Sequence, residues 1–203
     1  QHLLNLLIKT IFVENVIFFF FLGMCSYLAV SKKIQTAFGL GLAVIFVMVL
    51  TTPLNYLILR YMLHEGALGW IHPSLATVDL TFLAFILFIS TIAGAVQLVE
   101  MVVEKFLPAL YSSLGIFLPL ITVNCSILGA ALFMQEREYN FAETTVFSLG
   151  AGIGFFLAIV LLAAIRERLR YSNIPQPLQG LGIAMIITAL MGLAFLSFSG
   201  IQL

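Results

Sequence analysis

Cys25 and Cys125 are the side chains in this sequence best suited to chemistry. Each sits inside an apolar run, and Cys25-Ser26-Tyr27-Leu28 recurs as Cys125-Ser126-Ile127-Leu128. Thiolates are the ligands of iron–sulfur clusters, and a [2Fe–2S] cluster takes four of them. The chain offers two, so a cluster needs two more from a partner or a second copy. The plainer alternative is that each thiol is a small buried hydrophobe. Recurrence of the same Cys-Ser-x-Leu string favours a symmetric pair of ligands. Two cysteines are too few for a disulfide framework.

The remaining chemistry is sparse. Glu100, with Gln97 on the same stretch, and Glu14 lie inside apolar segments. Ionisable groups in a membrane are costly and mark functional positions by default. Both are close to a segment end, where a solvated carboxylate is the alternative. Gly150-Ala-Gly152-Ile-Gly154 is superficially like a nucleotide-binding turn, but no strand precedes it. Its G-x-x-x-G spacing lets two membrane helices approach closely, and Gly39 and Gly41 invite the same reading. Asn124-Cys125-Ser126 fits a glycosylation sequon that has no meaning at membrane depth. No zinc spacing, nucleophilic triad or P-loop is present.

These residues must be positioned by membrane helices. Of 203 residues, 62% are hydrophobic and 9% charged, against about 25% charged in a soluble domain. A globular interior of this size cannot hide so much apolar surface. Nine Lys and Arg balance nine Asp and Glu, so there is no basic patch for nucleic acid. A helix needs about 20 apolar residues to cross the hydrocarbon. On that criterion spans fall at roughly 6–30, 38–59, 80–102, 113–134, 145–165 and 180–200. Tyr56, Tyr61, Trp70, Tyr111, Tyr139 and Tyr171 lie near span ends or between spans, as interfacial aromatics do. Glu14 breaks the pattern of a signal peptide and no A-x-A site follows, so the first run is read as a retained span.

Connections 1–2, 3–4 and 5–6 carry Lys32, Lys33, Lys105, Arg166, Arg168 and Arg170, whereas the other face has Lys9, Arg60 and Arg137. The positive-inside rule puts the richer face in the cytoplasm and both termini outside. Thr36-Ala-Phe38-Gly-Leu40-Gly41 with Phe46 is echoed by Thr145-Val-Phe147-Ser-Leu149-Gly150 with Phe155. Together with the cysteine strings, this echo predicts an all-α polytopic protein. It forms a single transmembrane domain over 1–203, built from two inverted three-helix repeats at approximately 1–105 and 106–203. Such repeats place their site near the bilayer midplane on interrupted helices. Gly23 in the first span, and Pro119 with Asn124 adjacent to Cys125 in the fourth, are the interruption signals. Straight helices would leave Cys25 roughly 10 Å from Lys32 and Cys125 roughly 20 Å from Tyr111, at different depths. Broken ones could bring them together.

Several strings carry a family likeness. They are Phe20-Phe21-Leu22-Gly23-Met24-Cys25, Gly115-Ile116-Phe117-Leu118-Pro119-Leu120-Ile121-Thr122-Val123-Asn124-Cys125, Ile165-Arg166-Glu167-Arg168 and Phe198-Ser199-Gly200-Ile201-Gln202-Leu203. The chain resembles, along its whole length, the E subunits of the bacterial sodium-translocating NADH:quinone oxidoreductase and the related A subunits of the Rnf complex. No proline follows Met24-Cys25-Ser26, and Gln135 to Glu143 looks like the sodium-pumping enzyme. The stretch from Leu63 to Thr77 is longer than either implies.

The resemblance implies an inner-membrane subunit of NADH:quinone reductase with no catalysis of its own. Cys25 and Cys125 match the two cysteines that such subunits supply to a [2Fe–2S] cluster shared with a homologous D subunit. That cluster passes electrons from the F subunit's flavodomain toward the flavin of the C subunit, and on to ubiquinone. FMN, FAD and NADH belong to other subunits, B among the partners. Glu100, in its Val-Glu-Met context, matches an intramembrane acid suspected of helping Na+ entry. Two alternatives stand: an Rnf subunit working between ferredoxin and NAD, and a secondary transporter, which would give the cysteines no role.

Overall fold

The computed structural model describes residues 2–63, 83–106, 118–173 and 175–200. Among these residues every regular element is a helix. The elements in chain order are α1 (His2–Ile8), continued by a π-helical turn over Lys9–Val13, α2 (Met24–Val30), and α3 (Ile34–Ile58), prolonged as a π turn over Leu59–Leu63. Next come α4 (Ala84–Phe106), α5 (Leu118–Thr122), α6 (Cys125–Glu136), α7 (Phe141–Leu169) and α8 (Leu181–Leu196). Three stretches are long and apolar enough to cross a membrane: Ile34–Leu63, Ala84–Val102 and Phe141–Leu169. Shorter apolar helices occupy His2–Val13, Leu120–Glu136 and Leu181–Leu196. Much of the 63–77 stretch, and the segment before α5, lie outside the described residues.

The burial pattern is that of a protein solvated by lipid. On α3, Leu42, Phe46, Leu50 and Leu54 recur at fourfold spacing and are all exposed. The opposite side buries Leu40, Val44, Val47 and Met48 together with Thr51, Thr52 and Asn55. In water this arrangement would expose a continuous apolar stripe while hiding polar groups. In lipid it costs nothing to leave leucine and phenylalanine outside.

α3 and α7 form the central pair, and glycine sets how closely they approach. A β-carbon on Gly41 would lie 3.3 Å from the Phe156 Cα, and one on Gly152 would lie 2.9 Å from the Ile45 Cα. The contacts are reciprocal: each helix presents a glycine to the other, and the same offset of 111 residues relates Gly41 to Gly152 and Ile45 to Phe156. Gly150 and Gly154, on another face of α7, receive the first segment. Gly150 meets the Leu7 carbonyl and Gly154 the Ile11 carbonyl. Glycine thus serves helix packing here, as its spacing predicted. The close partner of Gly41's helix is Gly152 rather than either end of the G-x-x-x-G string.

The first and fourth apolar segments are both broken among the described residues. The first segment breaks at Glu14–Asn15 and turns through 16–23 before α2 begins. In the fourth, Pro119 is the second residue of α5, and the break comes at Val123–Asn124.

Buried polar side chains fasten the breaks. Asn15, 1% exposed, donates through Nδ2 to the carbonyls of Ile11 at 3.1 Å and Gly154 at 3.0 Å. Its Oδ1 accepts the Ile17 N–H at 3.0 Å. One side chain therefore replaces helical bonds lost at the first break and ties it to α7, as backbone polar groups in lipid require. At the far end of α2, Arg166 of α7 donates to the Leu28 carbonyl at 3.1 Å and to Ser31 Oγ at 2.8 Å. A guanidinium at a helix C-terminus also complements the dipole.

Candidate metal centre

Each cysteine stands in the first turn of a half-helix that follows a break. Cys125 is the first residue of α6, capped by Asn124, whose Oδ1 accepts the Ser126 N–H at 3.1 Å. Cys25 is the second residue of α2, which follows Gly23 at φ 82° and ψ 10°. That left-handed conformation is open to glycine and strained for other residues. Phe21, at φ 56°, adopts it without that freedom. Such strain persists only where surrounding structure enforces it, and it clusters at functional sites.

The two breaks touch. The Gly23 N–H donates to Cys125 Sγ at 2.8 Å, and Ser126 Oγ donates to the Leu22 carbonyl at 2.9 Å. Ser26 Oγ donates to the Gly23 carbonyl at 3.0 Å. A β-carbon on Gly23 would collide with Ser126 Oγ and reach within 2.8 Å of the Phe155 ring and 3.2 Å of Asn124 Oδ1. Gly129 admits the Leu22 side chain, which a β-carbon would strike. Gly23 is thus held to glycine by its backbone as well as its neighbours, while a side chain at Gly129 would require Leu22 to move. The serines after the cysteines, part of the recurring string, have a concrete role here: Ser126 donates to the Leu22 carbonyl at the break, and Ser26 adds a second donor to the Gly23 carbonyl, which also accepts the Tyr27 N–H at 3.0 Å.

The arrangement suits sulfur that bears negative charge. A backbone N–H aimed at Cys125 and the N-terminal turns of two half-helices all present positive charge to that neighbourhood. Cys125 is half-buried, whereas Cys25 is exposed, and neither forms a disulfide. Among the described residues no three His, Cys, Asp or Glu side chains converge as a metal-binding group. The donors present fit half of a thiolate-ligated cluster, open on the side where Cys25 is exposed.

Glu100 does not join this site by any hydrogen bond or ion pair among the described residues. It is half-buried on α4. Glu14 instead is held in a charged knot. Its Oε1 lies 2.9 Å from Lys9 Nζ and its Oε2 2.6 Å from Arg137 Nη1. Arg137 also donates to the Tyr139 hydroxyl at 3.0 Å and stands 5.7 Å from the centre of the Phe133 ring. Burial disfavours the charge on Arg137, but its bonds to Tyr139 and Glu14 outweigh that and raise its pKa. Lys9, Glu14 and Arg137, which hydropathy places on one face of the membrane, meet as one group.

Sequence reasoning passed over Asn15 and the fully buried Tyr27. The Tyr27 ring packs edge-on against Phe18, and its hydroxyl lies 3.4 Å from Thr188 Oγ1. An asparagine just before the Val16–Leu22 apolar run was the available signal for the first break.

The pattern that defines the Rnf-Nqr subunits, membrane proteins, matches residues 3–202. The chain belongs to the Rnf-Nqr family of membrane subunits. Its relatives include the E subunit of the Na(+)-translocating NADH-quinone reductase of Maridesulfovibrio salexigens, 57% identical over 203 residues and covering the whole of both chains. The proteins of the same name in Alcanivorax borkumensis and Marinobacter nauticus are 55% and 56% identical. Each of these alignments covers all of this chain and at least 99% of the relative. The E-subunit resemblance read from the sequence is borne out by these Rnf-Nqr relatives.

Proposed function

We propose that this Rnf-Nqr chain is the E subunit of a redox-driven sodium pump, an NADH:quinone oxidoreductase, in which Cys25 and Cys125 supply half the ligands of a [2Fe–2S] cluster. A homologous D subunit supplies the other two thiolates. The observation that carries the reading is the 2.8 Å contact from the Gly23 N–H to Cys125 Sγ, which draws one cysteine to the loop that leads into the other. The names of the relatives favour the sodium-translocating reductase over the Rnf complex. A secondary transporter leaves the paired breaks without a use for their thiols.

When bound, a [2Fe–2S] cluster takes up and releases single electrons. The chain's own residues do the positioning. Asn124 and Gly23 start the two half-helices that present the thiols, and Ser126 holds the breaks together. The Gly23 N–H and the helix N-termini favour negative charge on sulfur, while surrounding apolar side chains exclude water. Flavins and NADH are held by the B, C and F subunits, with ubiquinone as the final acceptor, so the isolated chain has no activity of its own. Glu100 assists Na+ entry from within α4.

The reciprocal glycine packing of α3 and α7 supports two inverted repeats of three spans each, with the repeat axis between those helices. The Arg166–Arg170 cluster and Lys32-Lys33 face the cytoplasm of a bacterial inner membrane. The Lys9–Glu14–Arg137 group faces the periplasm, as both termini do. Iron analysis of the purified complex tests the proposal. Cys25→Ala and Cys125→Ala each remove the iron assigned to this cluster while NADH oxidation by the flavin-bearing part continues. Full iron content in either variant overturns the reading.

A further inference from the structure

A cavity of about 300 Å³ opens between the end of α7 and the start of α8, lined by Arg166, Leu169, Arg170, Ser172, Gly180 and Ile183 among others. Two guanidiniums share this small space. Every ion pair among the described residues involves Glu14 or Glu143, so no described carboxylate pairs with either arginine. Arg166 commits Nη1 to the Leu28 carbonyl and Ser31. A guanidinium has five N–H donors in a fixed fork, and the rest of the fork remains available for an anion. Gly180, at φ 90°, caps the 16-residue α8, and a β-carbon there would meet nothing within 4 Å. The first-turn N–H groups of α8 therefore begin at the cavity wall, adding positive potential to that of the arginines.

The surroundings are amphiphilic in the order a lipid needs. Leu169 and Ile183 form a half-buried apolar part of the lining. Beyond Gly180, Leu181 is 65% and Met185 48% exposed, one turn apart on α8. Tyr171, beside Arg170 and Ser172, is 92% exposed, as an interfacial aromatic is. A soluble anion would use the arginines and leave Leu181 and Met185 without purpose. A phosphodiester with acyl chains uses both.

We propose that this cavity binds the phosphate of an anionic phospholipid, with an acyl chain lying along Leu181 and Met185. Basic pockets between membrane helices on the cytoplasmic side are suited to such headgroups. Through Arg166, the lipid phosphate shares a guanidinium with the C-terminal end of α2, the half-helix that begins beside Cys25.

The test uses the intact, delipidated complex and measures half-saturation for phosphatidylglycerol by native mass spectrometry. Arg170→Gln removes an exposed cavity guanidinium without touching the α2 anchor. Arg168→Gln, on the same helix end but outside the cavity lining, makes the same charge change. Losing a charge-assisted bond predicts about tenfold weaker binding in Arg170→Gln and a clearly smaller loss in Arg168→Gln. Equal losses in the two variants overturn the site in favour of diffuse surface charge. Equal binding of phosphatidylcholine, or displacement of the lipid by inorganic phosphate, overturns the lipid assignment.

Discussion

The backbone N–H of Gly23 donates to the sulfur of Cys125 across 2.8 Å, although 102 residues separate them in the chain. In an unbroken helix the Gly23 N–H would be committed to a backbone carbonyl. Gly23 has a spare N–H because the chain turns there, and Cys125, the first residue of α6, brings its sulfur to it. The two interruptions are thus parts of one contact.

Gly23→Ala tests that contact most simply. The new methyl group meets Ser126 Oγ and the Phe155 ring, and φ 82° is unfavourable for alanine. Backbone strain and overpacking of this kind cost about 1–3 kcal/mol each. Thermal melting of the complex should fall markedly, and iron content with it. An unchanged melting temperature would show that the breaks do not pack as described.

Asn124→Ala removes the cap of α6 and should cost about 0.5–2 kcal/mol. Ser126→Ala leaves the Leu22 carbonyl without its 2.9 Å donor and should cost about 1 kcal/mol. Chemical denaturation of the two single variants and the double variant checks both. Strict additivity would contradict a shared contact, since neighbouring groups couple.

Buried polar groups divide into two classes with opposite expectations. Asn15 makes three hydrogen bonds, and Asn15→Leu should destabilise by about 2–3 kcal/mol. Thr52 Oγ1 and Thr144 Oγ1 are buried without a partner among the described residues. Thr52→Val and Thr144→Val should therefore be neutral or stabilising by up to about 1 kcal/mol. Melting temperatures distinguish the classes, and a large loss in the valine variants would contradict this division.

Glu100→Gln keeps the shape of the side chain and removes its charge. If this carboxylate helps recruit Na+, quinone reduction should need more Na+ while iron content stays unchanged. An unaltered Na+ response would leave Glu100 as an interfacial carboxylate.

The outlines of this fold were legible in the sequence, and its details were not, for a physical reason. Apolar runs locate helices because lipid imposes one length and one composition on all of them. α3 with its π turn and α7 accordingly extend only a few residues past the expected ends of their spans, and α4 ends at Phe106 against an expected 102. Breaks depend instead on tertiary partners. Asn124, beside Cys125, stands at one break, where its side chain caps the next half-helix. Asn15 was invisible as a break because its value lies in the Gly154 carbonyl, 139 residues away. At the site, the repeated Cys-Ser string pointed to both thiols and, through Ser126, to the contact beside them. The echo over Thr36–Gly41 and Thr145–Gly150 had the right pair of helices but an offset of 109, where the packing exchange has 111.

The central claim is that Cys25 and Cys125 are ligands of one cluster completed by a second subunit. An experimental density map of the intact complex at side-chain resolution measures it directly. The account predicts metal density bonded to both sulfurs beside Gly23 and Asn124, continuing to two cysteines of the neighbouring chain. Two thiols facing apart, with no metal bonded to either, would contradict it.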